Sequence, residues 1–324
     1  MNDKENGIKS DNTHNLVIFK EKREETVFAF ETIDQENKIR LANDFRAHGR
    51  HYRYSIKIYN DSLASITEIK VKIDYPKFLD ITRSYPLTVY VPEGVEEGGN
   101  LKSIVEFDVI NEKSSKEIHL YFTPQSLGHH GEIKTIVTYV NNKDYVRVLN
   151  SESVGIRLDE IMIMPKIIPS SHIGEFARIP GMKKAIKSMG VELQSEINFD
   201  IFYNIVEQIF RRNNLQLIAK DPEKRILWYF GADVDMRDDV LIIGQIVANK
   251  VEIITLSKNH TELISFLTLL SNGVIEHIIE RGIVNTADRI HDLECKYCGA
   301  VLPYFPKTGE EIKCPKCNYE QMVW

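Results

Sequence analysis

The chain has 324 residues, 43% of them hydrophobic and 27% charged, with 41 Lys and Arg against 47 Asp and Glu. That composition excludes disorder for most of the length, because 14 Phe and 14 Tyr beside abundant Ile supply ample apolar surface. A formal charge of -6 does not favour a dedicated nucleic-acid binder, and the length suits two or three domains.

Residues 1–14 are polar and without periodicity, and read as a flexible tail lacking the apolar core of a secretory signal. Short apolar runs follow at Leu16–Phe19 and Val27–Phe30. The stretch Asn37–Phe45 has room for one helical turn or two and stays unassigned. From His51 to Asn60, Tyr52, Tyr54, Ile56 and Ile58 alternate with polar residues, as a strand with one buried face requires. Ile69, Val71, Ile73 and Tyr75 repeat the pattern until Pro76. Further strand candidates are Leu87–Val91, Ile104–Val109, Ile118–Phe122, Ile133–Val140 and Tyr145–Leu149, with His129-His130 in a solvated loop. Seven or more strands punctuated by turns predict an immunoglobulin-like antiparallel β-sandwich over 15–160.

A connector with Pro165, Pro169 and Pro180 leads to a different pattern over 161–285. Met182–Met189 reads as a short basic helix. Ile201, Ile205 and Ile209 beside Phe202, Val206 and Phe210 form a helical stripe, with Asn198 as N-cap and Asn213-Asn214 as stop. Strands are expected at Leu215–Ala219, Ile226–Phe230, Val240–Val247 and Val251–Leu256, then a helix from Thr261 to Arg281 closed by Gly282. Ser265, Thr268, Ser271 and Glu276 interrupt its apolar surface, which suits a buried helix better than a membrane span. Helix, four strands and helix make a small α+β layer, so the chain is multidomain β and α+β.

The last segment, 286–324, holds all four cysteines, as Cys295-x-x-Cys298 and Cys314-x-x-Cys317 separated by fifteen residues. Two such knuckles supply four thiolates to one tetrahedral ion, so a zinc ribbon with a single structural Zn2+ is expected. Four sulfur ligands leave no position for a catalytic water. Val301-Leu302 and Glu311-Ile312-Lys313 are the expected hairpin arms, and the segment is too short for a core without metal. Tyr304, Phe305, Tyr319 and Trp324 form either a contact patch or the ribbon's own small core.

The sequence contains no phosphate-binding glycine loop and no hydrolase elbow, and outside the knuckles it has no cysteine nucleophile. Asp233, Asp235, Asp238 and Asp239 lack the ligand pattern of a calcium loop and read as a charged turn. The chain therefore reads as a non-enzyme, and reduced cysteines without a leader point to the cytoplasm. A deep polar cavity of convergent titratable groups between sandwich and sheet would mark an enzyme instead.

The order of the second half, through Arg211-Arg212-Asn213-Asn214, Leu215–Lys220, Leu227–Phe230, Val240–Ile246, Val251–Leu256 and Ser265–Ile279, resembles the platform subdomain of adaptin and coatomer appendage (ear) domains. Tyr52–Leu158 is compatible with the sandwich that precedes the platform in that family. The resemblance implies a recruitment module for vesicle or membrane traffic, binding short linear motifs of partner proteins in an aromatic-floored groove and meeting membranes only through those partners. Val240 stands near the place of the family's groove tryptophan, and Trp228, Tyr229 and Arg225 are the candidate peptide contacts. The alternative reading is a transcription- or RNA-associated factor acting through the ribbon, whose Lys296, Lys307, Lys313 and Lys316 would give local positive charge.

Overall fold

The computed structural model describes residues 37–87, 100–193 and 198–324. The expected strands at Leu16–Phe19 and Val27–Phe30, and nearly all of Leu87–Val91, lie outside the described residues.

The first half is a sandwich of two antiparallel sheets. One joins β1 (Ile39–His48), β2 (His51–Asn60), β6 (Ser114–Pro124) and β4 (Leu79–Tyr85) in that order. The other runs β5 (Asn100–Ile110), β3 (Ile66–Pro76), β7 (His129–Val140) and β8 (Val146–Asn150), with β9 (Val154–Leu158) also paired to β7. Alternation sets the packing: Tyr54, Ile56 and Ile58 of β2 meet Ile69, Val71 and Ile73 of β3 in one buried core. The unassigned stretch after Asn37 is thus strand β1, and His129-His130 open β7 rather than lying in a loop, though both remain exposed.

The second half is a seven-stranded antiparallel sheet backed by helices. Its strands are ordered β10 (Ile163–Pro165), β13 (Ile226–Asp233), β14 (Asp239–Val247), β15 (Lys250–Ser257), β11 (Lys183–Val191) and β16 (Ile290–Asp292), and β12 (Gln216–Asp221) also pairs with β13. A one-turn helix α1 (Ile173–Phe176) sits in the connector. Helices α2 (Asp200–Arg212) and α3 (His260–Glu280) cover one face. The expected basic helix at Met182–Met189 is instead the inner strand β11. Ala185, Met189 and Val191 point into the helix-side core, and Gly190 approaches the Phe305 ring of the cysteine segment too closely for any side chain. Between β11 and the end of α3 the chain order is strand, helix, four strands, helix.

By length and composition α3 is apolar enough to cross a membrane, and 67% of its most apolar window is buried within the protein. It is buried on two sides because it serves two cores: Leu263, Phe266 and Leu270 pack under the sheet, whereas Ile264 belongs to the sandwich core. Asn259 caps its start, accepting from the Thr261 N–H, and Gly282 follows its end with a positive φ of 68°.

Candidate metal centre, charged junction and outer sheet face

Two knuckles build the cysteine cluster in the same way. In the first, Gly299 N–H donates to the Cys295 carbonyl, and in the second Asn318 N–H donates to the Cys314 carbonyl. The residue after each second cysteine takes a left-handed turn, Gly299 at φ 73° and Asn318 at φ 62°. These turns bring all four sulfurs within 4.8 Å of one another, with Cys295–Cys317 and Cys298–Cys314 at 3.6 Å. That spacing is near the roughly 3.8 Å edge of a tetrahedron with ~2.3 Å metal–sulfur bonds. Burial pushes the Cys298 thiol up to about 12 and raises Cys295, whereas at Cys314 burial is outweighed by the backbone N–H groups of Cys317 and Lys316, which bring the thiol down to about 7. The hairpin behind the second knuckle pairs β17 (Glu311–Lys313) with β18 (Glu320–Met322). Val301 is not an arm of it; it bridges to Glu294 ahead of the first knuckle.

The aromatic residues of this segment divide. Phe305 and Trp324 stack at 5.3 Å and both lie against His291, and Trp324 Nε1 donates to the Pro306 carbonyl. Tyr304 and Tyr319 stay on the surface.

The cysteine segment is anchored to both other parts of the chain. Leading into it, β16 extends the sheet by pairing with β11, and the Leu293 N–H donates to the Ser188 carbonyl. On the sheet's outer side the Phe305 ring covers Gly190, and the buried Lys250 ammonium donates to the carbonyls of Leu302 and Pro303 at 3.0 and 3.2 Å. On the sandwich side Glu294 takes charged hydrogen bonds from Arg50 (Nε, 2.5 Å) and His51 (Nε2, 2.6 Å), and Arg50 also pairs with Asp292 at 2.8 Å. Lys187 of β11 reaches the same Asp292 oxygen at 2.8 Å. Burial alone would raise Glu294, but Arg50 and His51 outweigh it and hold the carboxyl at about 2. Burial keeps His51 below its ordinary value. Its Nε2–H faces the carboxylate, so Nδ1 accepts from the Thr123 hydroxyl at 2.8 Å. The Arg83 guanidinium lies 3.8 Å above the Tyr121 ring and closes over Gly299, where a Cβ would collide with it.

Beside this junction a polar cavity of about 260 Å³ opens between α3 and the sandwich, with Arg50, Asp80, Thr82, Lys187, Ser271 and Asp292 among its walls. Most of its charged groups are paired with one another. Two buried atoms, Arg50 Nη1 and Asp292 Oδ1, have no hydrogen-bond partner. Sequence spacing holds no hint of this network, because its members come together from positions as far apart as Arg50 and Glu294.

The candidate peptide contacts separate across the sheet. Tyr229 is fully buried on the helix side against Phe210, at 5.2 Å, which removes its ring from any surface contact. Val240 is likewise a core residue. Arg225, at a left-handed φ of 51°, is partly exposed and bound to Asp200 at 2.6 Å. Trp228 faces the other way. By strand register it stands opposite Ala219 on one side and Ile243 on the other; Ile243 opposes Ile254, and Ile254 opposes Ile186. All five are half-buried, forming one apolar row across five strands on the face away from the helices. The neighbouring row, Phe230, Leu241 and Leu256, is buried under Ile168, Ile173, Phe176 and Met182 of the connector. On its other flank the row meets Gln245 and Glu252, and beyond them Lys250 and Gly190 beneath the cysteine segment.

No protein-family model matches this chain, and no curated protein matches it. Among solved structures it is similar to a cohesin module of a Clostridium perfringens family 33 glycoside hydrolase, at 11% identity over 38% of this chain and 97% of that one, TM-score 0.30. A non-cellulosomal cohesin from the archaeon Archaeoglobus fulgidus matches at 11% identity over 33% of this chain and 82% of its own length, TM-score 0.22. The full-length major pilin SpaD of Corynebacterium diphtheriae matches at 11% identity over 68% of this chain, which spans 51% of that pilin, TM-score 0.31.

Proposed function

We propose that this protein is a non-catalytic, cytoplasmic recruitment module that captures short linear motifs of partner proteins on the outer face of its helix-backed sheet. The observation that carries the reading is the apolar row Trp228–Ile243–Ile254, left half-open between the connector and the cysteine segment. Such a strip offers apolar surface to two or three anchors of an extended peptide, with Trp228 as the aromatic floor. The order strand, helix, four strands, helix behind a sandwich supports kinship with adaptin and coatomer appendages, and with it a place in vesicle or membrane traffic. One structural Zn2+ in the cysteine cluster is part of the same reading, supported by the sulfur spacing.

The rival nucleic-acid reading has less behind it. Lys296, Lys307, Lys313 and Lys316 are matched by Glu294, Glu310, Glu311 and Glu320, and four thiolates around one Zn2+ add a net negative charge. An enzyme would work at the junction cavity, where Arg50 Nη1 is the one buried donor aimed at no protein group among those lining it.

The test is fluorescence titration of the Trp324→Phe variant, in which Trp228 is the sole indole, with a panel of short peptides carrying paired aromatic and aliphatic anchors. Binding should shift the Trp228 emission, and isothermal titration of the same peptides should show it vanish in Trp228→Ala with the fold intact. Undiminished binding by folded Trp228→Ala removes the outer face from the mechanism.

A further inference from the structure

A second cavity, about 470 Å³, lies where the sandwich ends, the sheet turns and α3 begins. Its walls carry five carboxylates: Asp159 and Glu160 after β9, Asp233 at the end of β13, Asp235 in the turn that follows, and Glu262 in the first turn of α3. The only base among the lining residues is Arg157, and it is already bound to Asp159 at 2.6 Å.

Glu262 is the decisive group, because it is only 7% exposed and its Oε2 has no donor. Its Oε1 accepts from Asn259 at 2.9 Å, and the nearby Asp238 carboxylate, a second acceptor, raises its pKa further. A buried carboxylate oxygen without a donor, beside a second and half-buried carboxylate, is satisfied by a proton, a bridging water or a cation. Asp233 adds to the crowding. It is itself buried, and its Oδ1 is occupied by the N–H groups of Asp235 and Met236. Burial and these two aspartates push Glu262 up to about 7, so the pocket holds unrelieved negative potential at neutral pH.

The geometry favours an organic cation over a metal ion. Among the described residues only the four cysteines bring three or more ligand atoms within 4.8 Å of one another, so these carboxylates do not converge on a bare ion. The cavity also has apolar walls, with Ile161 and the exposed Met162 and Met236 among its lining, which suits the methylene stem of a basic side chain. We infer that this cavity is a receptor for an arginine or lysine side chain of a partner polypeptide, its cationic head on Glu262 and Asp235 and its stem along the two methionines. The site lies apart from the Trp228 row, so a partner engaging both would present apolar anchors and a basic residue together.

Isothermal titration of the full chain tests this, with Nα-acetyl-arginine amide and Nα-acetyl-lysine amide as ligands, Nα-acetyl-norleucine amide as the uncharged control, and CaCl2 separately. The basic amides should bind at least about tenfold more tightly than norleucine amide, and the difference should shrink as salt is raised. Glu262→Gln should abolish most of that preference. Asp235→Asn, on an exposed turn, should weaken it severalfold, and it gives an independent reading if the first variant folds poorly. Trp228→Ala should leave it unchanged, which separates this site from the outer face. Equal binding of arginine and norleucine amides, or a preference untouched by both acidic variants, overturns the inference. Tight Ca2+ binding that excludes the amides overturns it in favour of a metal site.

Discussion

The sandwich and the cysteine segment solve the same problem with opposite means. The sandwich buries Tyr54, Ile56, Ile58, Ile69, Val71, Ile73 and Phe122 completely, and at roughly 1.5–3 kcal/mol per such side chain its stability is a matter of apolar area. The cysteine segment fully buries only Leu293, Leu302 and Ile312 besides two cysteines. What it lacks in core it obtains from a four-sulfur cluster inside and a charged clamp outside. With the proposed Zn2+ in that cluster, coordination and ion pairs hold a small module in fixed register while the larger parts rely on oil.

That contrast is broken most severely by removing the metal. Chelation, or the pair Cys298→Ser and Cys317→Ser, should unfold residues 293–324 and leave the sandwich and sheet folded, since metal supplies about 10–16 kcal/mol in comparable small sites. Metal stoichiometry of one per chain and limited proteolysis confined to that segment check it; continued protection after chelation refutes it. Next comes the clamp. Glu294→Ala leaves buried His51 without its carboxylate and Arg50 with Asp292 alone, and should cost about 3 kcal/mol in urea unfolding, with Glu294→Gln milder. Gly190→Ala should cost about 1–3 kcal/mol, because the new Cβ must displace the Phe305 ring. Increased mobility of Trp324, read by fluorescence anisotropy, would show the same loosening.

Acid and base act on the two buried acidic regions in opposite senses. Burial alone would raise Asp292, but Arg50 and Lys187 hold it far below its ordinary value. Its contribution is therefore present above its unfolded pKa near 4 and is lost as pH falls through and below that point. Glu262 is raised to about 7, so the folded state binds the extra proton and its site loses stability as pH rises from about 4.5 to 7. Denaturation midpoints of Glu262→Gln should accordingly vary less with pH across that window than those of the unmodified chain. The smallest effect is expected at Trp228→Ala, about 1 kcal/mol or less, because that ring is only half-buried; a much larger loss would make it a core residue and not a contact.

Much of this architecture is legible from residue order alone. The alternation in β2 and β3, the stripe of α2, the limits of α3 and the pairing of knuckles all express local periods or spacings that survive into the fold. Strand β11 reads as a helix because Lys187 occupies an inward position, where it is neutralised by Asp292 from a strand more than a hundred residues later. A lysine there spoils the period-two pattern, and Met182, Ile186 and Met189 then imitate a helical face. Tyr229 fails as a contact for a related reason: neighbours along a strand face opposite sides, so Trp228 and Tyr229 could never share a surface. The charged junction has no sequence signature at all, and the acidic cavity shows in the sequence only as the charged turn with Asp233 and Asp235. They exist only where distant turns meet, and nothing in the spacing of Arg50, Lys187 and Glu294 encodes that meeting.

The double duty of α3 bears on how this molecule is to be dissected. A fragment halted before His260 would retain every strand of the sandwich yet leave a hole where Ile264 plugs it. A fragment begun after Leu158 would carry a greasy rod with one flank stripped. Expression trials with either half should therefore yield sticky, poorly behaved material, and the two halves have to be inherited, purified and crystallised together.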